Sequence, residues 1–572
     1  MIKKYINYLP FVGIGIVYIA GAFLDVMDID ASQYAAMSKE MMETGEYLQV
    51  KERSQDYLDK PPLLFWVSAL FFKLFGVSNF VFRIVPIIAS FIGFYATYRL
   101  GKLYYNTRIG YLAALVLASC QAMFLMNHDI RTDTMLTAAT IFAIWQIAEF
   151  NEYKKWLNLI LGFVGIGIAM LAKGPIGLMV PVLAFSVHFI LKRSWASFFR
   201  WQWLVGLVIV ALMLLPMSIG LYMQFDANPA YANHPDKSSG LYFYFWKQSF
   251  GRLTGENTFA SNDAQNPPIY FLAQNFLWSF LPWVLIFVPA LFQNIRQLFR
   301  QKFKISNNNK HKQLPEGITT GGFVLPFLAL SLSSYQLPHY TFVVFPLAAI
   351  IQARYLHKVL YEPAYRSKWM RVNMGLQIFT IIILWALAII LSTWAFPLQN
   401  ILTWGVAIAA LAVSVYFLIT RKNAFQALIM PSLMTIMGVN FLMNAHVYRN
   451  LFEYQTGSVI SKYVAQTREI KLNRFYVFGQ DLHFGSLDFY RSGFTKDLVN
   501  SKDLLDLAKE GTCWIYTNEK GLAEIKNLRQ KTTVIKKLKK FPVSMITLPF
   551  LNPELRDKEV TKVFLVKFSL TK

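Results

Sequence analysis

Four aspartates, a lysine in KP and another in KGP, one arginine and a Tyr-His-Tyr cluster are the residues of this 572-residue chain whose surroundings suit chemistry. Asp28 and Asp30 follow directly on Tyr5 to Leu24, an uncharged apolar run of membrane-spanning length. A carboxylate at the centre of a membrane helix costs about 2.5 to 3.5 kcal/mol on insertion scales, so both belong at or beyond the interface. There they can do acid–base work, or they can mark a solvated helix start in which Asp30 caps a helix from Ala31 to Thr44. Asp129 and Asp133, in HDIRTD, form the second acidic cluster; the plainer reading makes them cap and ion-pair partners around Arg131. Lys60 precedes Pro61 and Pro62, a stiff extended setting suited to meeting a lipid phosphate. Lys173 in AKGP, where Gly174 and Pro175 make a tight turn, reads the same way, and for both lysines snorkelling is the common alternative. Arg252, in SFGRLTG after an aromatic-rich stretch, could fork two hydrogen bonds to one phosphate, as lysine cannot. Tyr335, His339 and Tyr340 in YQLPHY make a polar aromatic cluster, or part of an aromatic belt.

These residues are set among apolar blocks. With 55% hydrophobic and 16% aromatic residues, the chain fits no soluble globular class. The blocks are continuous over roughly twenty residues, which excludes the ten-residue alternation of a membrane β-barrel and predicts an all-α polytopic membrane protein. About thirteen spans are expected by that criterion: 6–24, 81–99, 109–127, 134–150, 156–172, 175–191, 203–222, 269–292, 320–334, 340–356, 373–394, 400–419 and 424–443. The net charge of +24 gathers in short loops, at Arg99 and Lys102, Lys154 and Lys155, Lys192 to Arg200, Arg296 to Lys312, Arg366 to Arg371, and Arg421 with Lys422. All fall on one side, as the positive-inside rule expects, so the charge does not imply nucleic acid. The opposite, outer side then receives every candidate residue, in a first loop over 25–80, the HDIRTD and AKGP turns, a second long loop over 223–268, and YQLPHY.

Leu63 to Phe75 is apolar but short, and is expected to lie in the interface as an amphipathic helix. Lys3 and Lys4 before an apolar run ending Ala20-Gly21-Ala22 also resemble a cleaved secretory signal, which would leave the first loop on the same outer side. The membrane region is expected over 1–445. From His446 charged residues return, with strands expected at Arg474 to Phe478 and Cys513 to Thr517 and a helix at Ser501 to Lys509, predicting a small soluble α/β domain over 446–572. Cys120 and Cys513 make no metal or redox pattern, and no P-loop, zinc signature or internal repeat is present.

The strings DIDASQYAAMSKEMMETGEYL, DKPPLLFWVSALFFKLFGVSNFVFRIVP, LAKGPIGLMVP and SLSSYQLPHYTFVVFPLAAI, in that order, resemble the bacterial membrane glycosyltransferases of the aminoarabinose lipid A transferase (ArnT-like) type, related to the protein O-mannosyltransferases. The resemblance implies a GT-C fold, many membrane helices with a periplasmic domain, an inner-membrane location, and transfer of a sugar from a polyprenyl phosphate carrier to an envelope lipid or protein. Asp30 matches the family's first-loop catalytic aspartate, although Ala31 stands where a second acid usually follows. Asp133 matches the second acidic position, Lys60 the carrier-phosphate lysine, and Arg252 the arginine of a QRF-like segment. The usual KLP reads Gln336-Leu337-Pro338, so one family cation is replaced.

The chemistry suits these residue types. A polyprenyl phosphate sugar is already activated, and breaking its anomeric C–O bond releases an anionic phosphate, so cations such as Lys60 and Arg252 are needed there. Asp30 would act as general base on an acceptor hydroxyl in one inverting displacement, with Asp133 orienting base or acceptor. Asp28, Lys173, Tyr335, His339 and Tyr340 are candidate substrate contacts. No cofactor is required, and a divalent cation is not demanded, because the donor has one phosphate. A lipid or sugar transporter is the rival reading, but transporters place ionisable groups near the midplane and show repeats, whereas these acids cluster at the outer ends.

Overall fold

The computed structural model describes residues 8–227, 239–248, 251, 267–304, 315–398, 400–491 and 493–571. The apolar runs are helical because, without water, only a helix satisfies every backbone group within one segment. The first nine that matter here are α1 (Leu9–Ala22), α2 (Asp30–Thr44), α3 (Leu63–Phe75), α4 (Asn79–Tyr104), α5 (Thr107–Ala118), α6 (Gln121–His128), α7 (Thr132–Tyr153), α8 (Trp156–Lys173) and α9 (Ile176–Leu191). Among the described residues seven helices are long and apolar enough to cross a membrane, or nine if each of two bent pairs counts as one span.

Those two bends meet. α5 and α6 turn by 52° at Ser119–Cys120, and Phe271–Ser279 and Val284–Arg300, here α10 and α11, by 119°. The segment expected as a single span over 269–292 is therefore two helices. The Gln121 N–H donates to the Leu281 carbonyl at 2.8 Å, and Trp283 Nε1 donates to Ser119 Oγ at 2.9 Å. Each break thus supplies partners for backbone and side-chain groups that the other sets free, and Pro282 removes one further donor. α7 and α8 lie close together because a Cβ on Gly165 would come within 3.1 Å of the Ala143 backbone.

α3 follows Pro62 and buries Leu64, Phe65 and Phe72 while exposing Leu70, Leu74 and Phe75, the two-faced pattern expected of it. Beyond α2 a short hairpin pairs β1 (Lys51–Glu52) with β2 (Gln55–Asp56). The last apolar helical stretch, Ala424–Phe452, runs on through the expected boundary at 445. A five-stranded sheet follows, formed by β3 (Phe475–Phe478), β4 (Lys496–Leu498), β5 (Cys513–Asn518), β6 (Lys531–Lys540) and β7 (Thr561–Ser569) in the order β4-β3-β5-β7-β6. β3 is parallel to β4 and β5, whereas β7 is antiparallel to β5 and β6. Asp503–Lys509 and Glu519–Asn527 supply helices beside it.

This C-terminal part is tied to the first loop. Lys39, buried on α2, donates to the carbonyls of Asp488 and Phe489, and the Val26 N–H donates to Tyr490 Oη at 2.7 Å. Arg53, at the hairpin tip, pairs with Asp497 at 2.8 Å.

Candidate active site

Arg83, fully buried in α4, fixes where both acidic segments begin. Its Nη2 donates to the Asp25 carbonyl at 2.6 Å, its Nε to the His128 carbonyl at 3.2 Å, and its Nη1 to the Leu24 carbonyl. A charge in that position persists only with such partners. From these anchors one chain segment runs to Asp30 at the start of α2, and the other to Asp133 in the first turn of α7.

Asp30 is the first residue of α2, where a carboxylate meets the positive end of the helix dipole; the N-cap residue is Ile29 and no side chain caps this end. The cap that is the alternative reading of Asp30 is therefore absent. Instead Asp30 Oδ2 accepts from Arg131 Nη1, and Arg131 Nε donates to Asp129 at 2.8 Å. The two acidic clusters are joined through one guanidinium. Beside them, burial first, and then the charges of Asp30 and Asp59, hold the Tyr34 phenol well above its ordinary pKa, so it remains a hydrogen-bond donor.

Asp133 does not pair with Arg131. It accepts from Lys173 Nζ at 2.5 Å, and His339 Nε2 lies 3.8 Å from its other oxygen. Lys173 ends α8, and Gly174 after it takes φ +84°, a left-handed turn that suits glycine and turns the chain sharply into α9. Its ammonium also sits 4.5 Å over the Tyr340 ring. His339 and Tyr340 are presented by the 3-10 turn Pro338–Val344, and the Tyr335 ring lies 6.4 Å from that of Tyr340.

Lys60 donates to its neighbour Asp59, whose other oxygen accepts from Gln248 at 3.3 Å. Lys60, Asp133, Lys173, Gln248, Ser333 and Tyr340 share the wall of one open cavity of about 860 Å³, solvent included. Its remaining lining, including Pro61, Leu136, Ile176 and Leu330, is apolar, as a lipid-linked ligand requires. Asp30 does not line this cavity; Tyr34 lies near enough to feel the charges of both Asp30 and the cavity residue Asp133.

The carboxylates differ in accessibility. The Asp133 side chain is 4% exposed and held by Lys173, whereas that of Asp30 is 38% exposed with only Oδ2 engaged among the described residues. A proton acceptor needs a free lone pair within reach of substrate, which favours Asp30. Asp28 is placed differently. It is buried, its carboxylate accepts from Ser32 and from Ser486 Oγ at 2.8 Å, and its own N–H donates to Gln455 at 2.8 Å. Burial pushes its pKa up to about 6 against those hydrogen bonds.

Arg252 lies outside the described residues, as does much of the loop expected over 223–268. At the position of the replaced family lysine, Gln336 donates to the Ser331 and Ser333 carbonyls at 2.7 and 3.1 Å and closes the turn before His339. Sequence reasoning missed Arg83, Asp59 and the reach of Arg131 to Asp30. A lone arginine within FVFRIVP was the available signal for the first. Among the described residues no three His, Cys, Asp or Glu side chains gather as a metal site would require.

Residues 59–219 match the family described as dolichyl-phosphate-mannose-protein mannosyltransferase, a segment that holds Lys60, Asp133 and Lys173 but starts after Asp30. The chain is 23% identical over 411 residues to the undecaprenyl phosphate-alpha-4-amino-4-deoxy-L-arabinose arabinosyl transferase of Enterobacter sp. (strain 638), covering 69% of this chain and 68% of that one. The protein of the same description from Erwinia tasmaniensis is 26% identical, over 64% of this chain and 61% of its own length. The crystal structure of ArnT from Cupriavidus metallidurans in the apo state superposes with a TM-score of 0.71 at 16% identity, covering 99% of this chain and 98% of that one. The same protein bound to undecaprenyl phosphate gives a TM-score of 0.72 at the same identity and coverage. In fold along nearly its whole length, and in sequence over 411 residues, this chain is similar to the ArnT type of membrane glycosyltransferase.

Proposed function

We propose that this protein moves a sugar, aminoarabinose-like or hexose, from a polyprenyl phosphate carrier to an envelope lipid or protein on the periplasmic face of a bacterial inner membrane. The gathering of Lys60 with the Lys173–Asp133 pair on one largely apolar cavity carries this reading, because it offers the Lys60 cation to a phosphate whose lipid tail stays out of water and sets a carboxylate beside it. The relatives' names point to the same donor chemistry. We take the whole as a GT-C membrane domain of about thirteen spans over 1–445, with an α/β periplasmic domain over 446–572.

In the reaction the acceptor hydroxyl gives its proton to Asp30 while its oxygen bonds to the anomeric carbon opposite the phosphate. The anomeric C–O bond breaks, and its electron pair leaves on the polyprenyl phosphate. Lys60 and Arg252 stabilise that charge as it grows, an effect larger in the transition state than in the bound donor. Lys173 holds Asp133 at the acceptor side, and Tyr335, His339 and Tyr340 border it. Asp28 serves as a structural tie to Ser486. An acceptor that is an ionised lipid phosphate would need the base less.

The test is purified protein incubated with undecaprenyl phosphate sugar and extracted envelope lipids or peptides, with products read by mass spectrometry. Sugar-bearing acceptor together with free undecaprenyl phosphate is the expected result. Donor binding without cleavage by any acceptor would leave a carrier-binding or translocating protein.

A further inference from the structure

The loop from Phe541 to Asn552 reads FPVSMITLPFLN and carries no charge. Part of it is pinned down. Phe541 and Phe550 stack with ring centroids 3.7 Å apart, in a small core with Leu24 and Met27 after α1, Ala395 and Phe396 at the end of the apolar helix Pro363–Ala395, and Val447 to Phe452. Arg556 locks the arrangement, with its guanidinium 4.5 Å over the Phe396 ring and Nη2 donating to the Ala395 carbonyl. The loop is thus fastened over the outer ends of three apolar helices.

The other part of the loop is bare. Met545 is 67% and Leu548 81% exposed, with Ile546 also exposed between them. Leu548 opens a one-turn helix, Leu548–Leu551, whose Phe550 is fully buried, so the fold buries one side of this turn and leaves the other apolar and uncovered. Exposed Trp394 marks the interface at the end of Pro363–Ala395. Lys539, which donates to Asp557 across the loop, and Lys558 stand exposed on either side of the uncharged stretch, and Glu554, Asp557 and Glu559 lie in the segment after it. An uncharged apolar tip, continuous with lipid-facing helix ends and beside an interfacial tryptophan, is the pattern of an interfacial anchor.

We infer that Met545, Ile546 and Leu548 dip into the outer leaflet of the bilayer, so that the C-terminal sheet is held to the membrane surface as well as to the helix ends. This anchor is independent of glycosyl transfer. It fixes the height of the segment bearing Ser486 and Asp488, which tie to Asp28 and Lys39 in the first loop.

Spin labels on single cysteines test it, in protein whose two buried native cysteines are replaced by alanine and which is reconstituted into phosphatidylethanolamine–phosphatidylglycerol vesicles. A label at Leu548→Cys should be several-fold more accessible to oxygen than to a polar nickel chelate. One at Val499→Cys, 94% exposed beside β4, should show the reverse. Met545→Cys gives an independent reading of the same tip. Labels at both tip positions that meet the polar reagent as freely as Val499→Cys, or that meet neither reagent, would overturn the inference.

Discussion

Arg131 donates to an oxygen of Asp30 that lies 101 residues earlier in the chain, and with its other edge it holds Asp129. The proposed base is therefore positioned by the start of a different helix. Arg131→Gln should leave donor affinity almost unchanged and lower kcat by about a hundredfold, the scale of a 1 Å misplacement at a reacting group. Steady-state kinetics with varied donor decide it, since an effect on KM alone would make Arg131 a binding residue.

Lys173 and Asp133 form the most enclosed ion pair at the cavity. Lys173→Met should destabilise the protein by about 3 to 5 kcal/mol, because it leaves a buried carboxylate without its partner. Adding Asp133→Asn should recover much of that loss, as read by thermal unfolding in detergent, without restoring transfer.

How much of this was legible follows from what the bilayer imposes. Apolar runs, charged turns and a shared face for Asp30, Lys60, Asp133 and Lys173 are written locally, because a span must be uninterrupted and its ends must carry the charge. Partnerships are not local. That Asp133 chooses Lys173 over Arg131, and that Arg83 gathers three carbonyls, depends on how helices far apart in sequence pack. The 119° break between α10 and α11 was hidden because hydrophobicity continues through Phe280 to Trp283, and hydropathy does not report direction. Asp28 reads as a candidate substrate contact, since nothing near it in sequence announces Ser486.

A pH effect should appear where the C-terminal segment meets the first loop. Burial pushes the His483 imidazole down, but Asp488 and Asp497, paired with its ring nitrogens at 2.8 and 2.7 Å, outweigh that and raise it to about 9. An unfolded histidine titrates near 6.5. The folded form binds the proton more tightly, so this stabilisation is fully present below about pH 6.5 and is lost as pH rises through about 9. Melting temperatures should fall over that window, and His483→Gln should lower stability at pH 6 while differing little from wild type above pH 9.

Sidedness is checked with a membrane-impermeant thiol reagent on intact cells. Cysteines at Ser54 and Val499 should react from outside, and cysteines at Lys155 and Lys422 should not, while buried Cys120 and Cys513 contribute little background. Labelling of all four from one side would undo the shared outer face on which every site assignment depends.

The central claim is that Asp30 takes the acceptor's proton, and Asp30→Asn tests it most directly, because the amide keeps the shape and the Arg131 contact but lacks the base. Donor binding, measured with undecaprenyl phosphate in detergent, should stay close to wild type, while single-turnover transfer to a hydroxyl acceptor should fall by roughly a hundredfold or more. Transfer by Asp30→Asn at the wild-type rate would contradict the account and leave Asp133 as the remaining carboxylate for the task.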